Sequence, residues 1–268
     1  MTQKPTAFGD THSAAQLGNG LDAVTHPSGA ILKASVIAPR DIIDELPEEL
    51  LRWLHEDLES TSMARLASRH ASRVDFESIV IDRLFPLRDA RPFVNRLRIH
   101  CHATAVAAGV LADMTRHSSK AARVCGWLHD IGLASCMRHA DEVMHIADDS
   151  VLELLWPTIE RSSAQHALRL ASRWRLPSSI RHAIRDHASY AMFVTNNPLA
   201  SITYVAEHVA VLIECDFHGA SPVAALERAR SVLSLSERDL VSVAARVEKV
   251  MRHAHSEASA LEYSQQRA

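Results

Sequence analysis

The sequence predicts an all-α protein, and three observations carry that reading. Only 8 Gly and 10 Pro occur in 268 residues, well below the roughly 12% of average usage, so the many tight turns of a sandwich or barrel lack residues to make them. No stretch keeps a period-2 alternation of apolar and polar residues. Apolar residues recur at helical spacing from Asp41 onward. Hydrophobic residues make up 47% and charged residues 23%, as expected for a globular protein with a sizeable core.

Residues 1–38 mix Gly, Ser, Thr, Pro and His without period and read as a loosely ordered, flexible N-terminal arm with one extended stretch, ILKASVIA. Beyond Asp41, Pro47 suits a first helical turn, and Glu48 and Glu49 suit the positive end of a helix dipole. Leu50, Leu51, Leu54 and Leu58 then form one stripe. A second helix is predicted over Phe76 to Phe85, ended by Pro86. Pro92 to about Arg116 reads as one long helix. Ser118 or Ser119 caps the next, which runs through AARVCGWLHD and stops at Gly132.

Asp149 or Ser150 starts a helix through VLELLW, with Pro157 as a kink or break, and His166 to Trp174 is a further short helix. LPSSIRHAIRDH starts another, with Pro177 near its first turn. Leu199 to Cys215 is helical and largely apolar, and Ser236 to about Tyr263 is a long, more polar helix. The expected organisation is an arm (1–38), a helical domain (39–235) and an added C-terminal helix (236–268).

The net charge of −3 offers no bulk positive field for gripping nucleic acid, so no DNA partner is expected. The first residues, MTQKPTAFGDTHSAAQ, contain no apolar signal-peptide core. The apolar stretch Pro198 to Phe217 is interrupted by Glu207, His208 and Glu214 and reads as a buried helix rather than a membrane span. Four cysteines without a CxxC pair read as reduced thiols, and the expected location is cytoplasmic.

Among 17 His, a few fall on apolar helices rather than on polar surface. His102 lies in HATAVAAGVLA, His129 and Asp130 end CGWLHDIG, His166 lies in QHALRLASRW, His187 ends IRHAIRDH, and Glu207 lies in ITYVAEHVA. His100 competes with His102, which has the better spacing to Val106 and Ala107. A buried polar group without a partner costs several kcal/mol. Groups from several helices are best satisfied by converging, and a metal ion is the natural hub. Imidazole nitrogen with carboxylate oxygen and no thiolate favours Mn, Fe, Zn or Mg. His129 and Asp130, about 100° apart on a helix, can both reach a site at the helix end.

The ordered series His102, the doublet in WLHDIG (Trp127 to Gly132), His166, His187 and a late carboxylate resembles the HD superfamily of metal-dependent phosphohydrolases. HALRLASRWRLPSSIRHAIRDH, with His166, Trp174, Leu176-Pro177 and Ala183-Ile184 before His187, resembles most closely the HDOD branch and its HD-GYP relative. The resemblance spans about residues 92–217. It implies an HD-type helical bundle whose central cleft holds one or two divalent ions on His102, His129, Asp130, His166, His187 and Glu207. The implied activity is metal-dependent hydrolysis of a phosphomonoester or phosphodiester, with a nucleotide or other phosphorylated small molecule as substrate. Asp130 would be the catalytic residue that coordinates metal and orients water.

Three features depart from the family pattern. Leu133 stands where catalytic members often carry Lys, Glu207 stands for Asp, and Ala188-Ser189-Tyr190 replaces a Gly-Tyr-Pro motif. The alternative is therefore a catalytically inactive HDOD-like module for signalling or protein interaction. A homodimer or a signalling protein is the expected macromolecular partner.

Overall fold

The structure, a computed structural model, describes residues 24–25, 31–32, 92–144, 149–188, 197–217 and 223–265. The helices expected over 41–58 and 76–85, and most of the N-terminal arm, lie outside the described residues. The chain divides into two units, residues 1–36 and 37–268. In the first, β1 (Val24–Thr25) and β2 (Ile31–Leu32) pair antiparallel, Val24 opposite Leu32 and Thr25 opposite Ile31. Ile31 and Leu32 open the stretch read as extended.

The described residues of the second unit are mostly helical and form an all-α bundle. They comprise α1 (Pro92–Met114), α2 (Ser119–Leu128), α3 (Ile131–Met144), α4 (Asp149–Arg173), α5 (Ser178–Ala188), α6 (Pro198–Leu212), α7 (Val223–Leu233) and α8 (Glu237–Gln265). None of these is long and apolar enough to cross a membrane.

The core explains the arrangement. α1 is buried on nearly every side between Leu97 and Ala112, so it forms the central rod. α6 is the second such rod, with residues 200–206 all buried. Its start is fixed by Asn197, whose side chain accepts from the Leu199 and Ala200 amides, and by Pro198 in the first turn. The outer helices show single stripes. On α5 these are Ile180, Ala183 and Ile184, and on α8 they are Leu240, Val243 and Val247. The α8 stripe joins the same apolar cluster as Val106, Leu111, Val205 and Val209, so the C-terminal helix closes this core.

Three expectations about helix boundaries are corrected. Gly132 does not end a helix. α2 stops at Leu128, residues 129–130 turn, and Gly132 is the second residue of α3. Its missing side chain serves packing instead: a methyl there would collide with the Ser163 carbonyl oxygen and lie 2.6 Å from its carbon. α3 thus crosses α4 backbone to backbone. Gly126 does the same between α2 and α1, where a methyl would lie 2.5 Å from Ala105 Cα.

Pro157 does not break α4, and no separate helix begins at His166, because 149–173 is one continuous helix. Its buried face, Leu155, Ile159, Ala167 and Leu170, runs through the proline, which lies on the exposed side. The helix α7 has no counterpart in the sequence reading.

Four helices end without glycine. Arg116, Arg175, Glu214 and Ser234 have φ of 60°, 49°, 59° and 54°. At each, the following amide reaches back to close the helix: His117 to Ala112 at 2.8 Å, Leu176 to Ala171 at 3.1 Å, Cys215 to Ala210 at 2.9 Å and Leu235 to Arg230 at 3.0 Å. This is the six-to-one bond of a Schellman cap, with a side chain where glycine is usual.

Candidate metal centre

The two-residue connection between α2 and α3 carries His129 and Asp130. Ser118 starts α2 by accepting from the Ala121 amide at 3.2 Å, and Gly126 seats the helix against α1. His129 is therefore held inside the bundle, 4% exposed. α1 brings His100, 1% exposed, to the same point. α5 brings His187 on the face of Ile180, Ala183 and Ile184. α6 brings Glu207.

These five side chains form two groups of donor atoms that share His129. In one, His100, His129 and Asp130 each offer an atom within 4.8 Å of the others. In the second, His129, His187 and Glu207 do the same. His129 Nε2 lies 3.2 Å from His100 Nε2 and 3.2 Å from Asp130 Oδ2. His100 Nε2 lies 3.7 Å from the same oxygen. His187 Nε2 lies 3.6 Å from Glu207 Oε2, and the His129 and His187 rings meet edge to face at 5.1 Å.

The main chain fixes two of the tautomers. His100 Nδ1–H donates to the Cys215 carbonyl at 3.0 Å, and His129 Nδ1–H donates to the Gly126 carbonyl at 2.8 Å. A carbonyl oxygen only accepts, so both Nδ1 atoms carry hydrogen. In the neutral rings both Nε2 lone pairs then face one another across 3.2 Å beside a carboxylate. That arrangement is repulsive unless a cation or a proton lies within it.

A metal ion fits. Two nitrogens held at about 2.0–2.1 Å by one ion lie roughly 2.8–3.4 Å apart at octahedral or tetrahedral angles. Ligating imidazoles commonly donate their other N–H to a carbonyl, as both rings do here. Without metal a proton takes the place. Burial opposes the charged form of His129, but the charge and hydrogen bond of Asp130, the charge of Glu207 and the Gly126 carbonyl outweigh it and raise its pKa to about 9. Cys101, also on α1, is in neither group, and burial first, then the charges of Asp130 and Glu207, push its thiol well above the usual range.

The expectation for α1 is corrected. His102 belongs to neither group and stacks on Trp127 with ring centroids 5.1 Å apart and 14° between planes. Residues two apart on a helix point about 200° apart, so only one of His100 and His102 can face the doublet. His166 is likewise in neither group. It sits half-buried on α4 beside the Ala167–Leu170 stripe. Arg98 is bonded to Asn95 at 2.8 Å, and Arg185 to Asp186 at 2.7 Å.

Residues 77–190 match the HDOD domain family. The HDOD segment holds four of the five clustered side chains, and Glu207 lies beyond its end. The resemblance to the HDOD branch is thereby borne out over that segment. Among solved structures, the chain is similar to the crystal structure of an HDOD domain protein with unknown function from Geobacter sulfurreducens, at 18% identity and a TM-score of 0.45, covering 65% of this chain and 68% of that one. No curated protein matches. Within the HDOD string, Trp174 and Leu176 are 1% and 2% exposed, so they pack the core rather than line a substrate surface.

Proposed function

We propose that this chain is a metal-dependent phosphohydrolase whose centre is formed by His100, His129, Asp130, His187 and Glu207. One observation supports this above the rest: imidazole nitrogens and carboxylate oxygens from three helices and the turn between α2 and α3 meet in the interior, with two ring orientations fixed by backbone carbonyls. Five such groups kept together inside a bundle are costly unless something occupies the space between them.

His100, His129 and Asp130 would hold one ion, and His129, His187 and Glu207 provide a second set around the shared ring. A divalent ion there supplies a bound water of lowered pKa and positive charge for a phosphate. Asp130, 13% exposed at its side chain, can both ligate and accept a proton from water approaching from outside, and Glu207 is exposed to the same degree. The substrate would be a phosphorylated small molecule or nucleotide.

A second reading, an HDOD module that binds metal or partner without catalysis, is favoured by Leu133. It is 3% exposed and packed in the core where catalytic relatives often place a phosphate-binding Lys.

The deciding experiment is elemental analysis of the full chain followed by turnover of bis(p-nitrophenyl) phosphate with and without Mn²⁺. Bound metal, metal-dependent turnover, and loss of about 10²-fold or more in rate on Asp130→Ala support the hydrolase. Bound metal with no turnover supports the module. Absence of both overturns the metal centre.

A further inference from the structure

The segment that ends α6 does more than stop a helix. Glu214 adopts a left-handed conformation, φ 59°. Its amide returns to the Val211 carbonyl at 3.1 Å, and the Cys215 amide to the Ala210 carbonyl at 2.9 Å. This reversal turns the Cys215 carbonyl toward α1, where it accepts from His100 Nδ1–H at 3.0 Å. Two residues later the Phe217 ring lies 6.4 Å from the His100 ring. The same helix carries Glu207, so α6 and its cap supply both a donor atom and the group that orients a donor on another helix.

We infer that Glu214 is a positioning residue: its left-handed backbone, not its carboxylate, fixes the tautomer and direction of His100 through the Cys215 carbonyl. This rests on the metal-centre reading for its consequence, a tuned metal affinity, but not for the tautomer itself. The other caps provide controls. Arg175 has the same backbone geometry, φ 49°, at the end of α4, and the backbone bonds of its cap return to the Ser172 and Ala171 carbonyls of α4 itself.

A β-branched residue is strongly disfavoured at positive φ, whereas Gly adopts it freely. Outer partners of ligating histidines typically tune affinity by 10–100-fold. The experiment compares full-length wild type, Glu214→Gly, Glu214→Val and Arg175→Val by three readouts: thermal unfolding without metal, Co²⁺ affinity from its absorption bands against a His129→Ala baseline, and ring ¹⁵N NMR of His100. Glu214→Thr replaces Glu214→Val should the latter not fold.

The expected result is that Glu214→Gly keeps wild-type Co²⁺ affinity and the Nδ1–H tautomer. Glu214→Val should bind Co²⁺ at least about tenfold more weakly and give a mixed His100 tautomer. Arg175→Val should lose comparable thermal stability with affinity and tautomer unchanged. The inference is overturned if Glu214→Val keeps the wild-type tautomer, or if Arg175→Val shifts it equally. A wild-type chain that binds no Co²⁺ above the baseline, yet shows this tautomer pattern, refutes the metal-centre reading and upholds the positioning role.

Discussion

Replacing Gly132 with Ala tests the packing that holds the doublet in place. In an ordinary helix interior the change stabilises by about 0.8–1.0 kcal/mol. Here the new methyl would overlap the Ser163 carbonyl oxygen and lie 2.6 Å from Ser163 C and 2.9 Å from Ala167 N. All three are backbone atoms of α4 and cannot rotate away, so the two helices must part by about an ångström. Overpacking of that kind costs about 1–3 kcal/mol and occasionally more.

With three backbone atoms in the way, the cost falls in the upper part of that range, about 2–3 kcal/mol, so the net expectation for Gly132→Ala is a loss of roughly 1–2 kcal/mol after the propensity gain is offset, read from urea unfolding at unchanged slope. Gly109→Ala is the internal contrast. The atoms nearest its methyl would be Arg123 Cγ at 2.8 Å, Cδ at 3.1 Å and Nη1 at 3.4 Å, all of a long, half-buried side chain that can move. That variant is expected to be neutral or more stable by up to about 1 kcal/mol. Gly132→Ala as stable as wild type, or no less stable than Gly109→Ala, refutes the argument.

Three other outcomes are expected. His100→Ala abolishes high-affinity Co²⁺ binding, whereas His102→Ala leaves it within about threefold, an expectation drawn from the roughly 10–100-fold effects of groups that do touch ligands; equal losses in the two variants would contradict the assignment of His100. In the metal-free chain His129 has a folded pKa raised from 6.5 to about 9, so its stabilising proton is fully present below the lower value and is lost as pH rises through the upper one. Urea midpoints should fall between those limits, and Asp130→Asn should flatten the fall; midpoints rising with pH would contradict it. Arg116→Gly, Arg175→Gly and Ser234→Gly should each stabilise by about 1 kcal/mol by relieving a side chain at positive φ, measured by the same unfolding assay.

Much of the fold is legible in the sequence because α2, α5 and α6 carry ordinary start signals: Ser118, Pro177 and Asn197–Pro198. Helix ends are less legible. Stops are usually read from glycine, but four of them carry Arg, Arg, Glu and Ser, while Gly132, the residue that looks like a stop, lies within α3. That helix follows α2 after only two residues, leaving no loop composition to mark it.

The choice between His100 and His102 fails for a related reason. Periodicity identifies a buried face only when another face is polar, and α1 is buried almost all round from Leu97 to Ala112. The doublet itself was visible because His and Asp adjoin in an apolar segment. Glu207 was visible as the lone acid in the most apolar helix.

The segment from Gly126 to Gly132 is pinned at both ends by close backbone crossings, with the His129–Asp130 turn between them. Adding or deleting one residue there would swing one crossing by about 100° relative to the other, and neither seam has room to absorb it. Homologous chains should therefore vary in length elsewhere and hold this stretch at constant length, whatever becomes of the histidine.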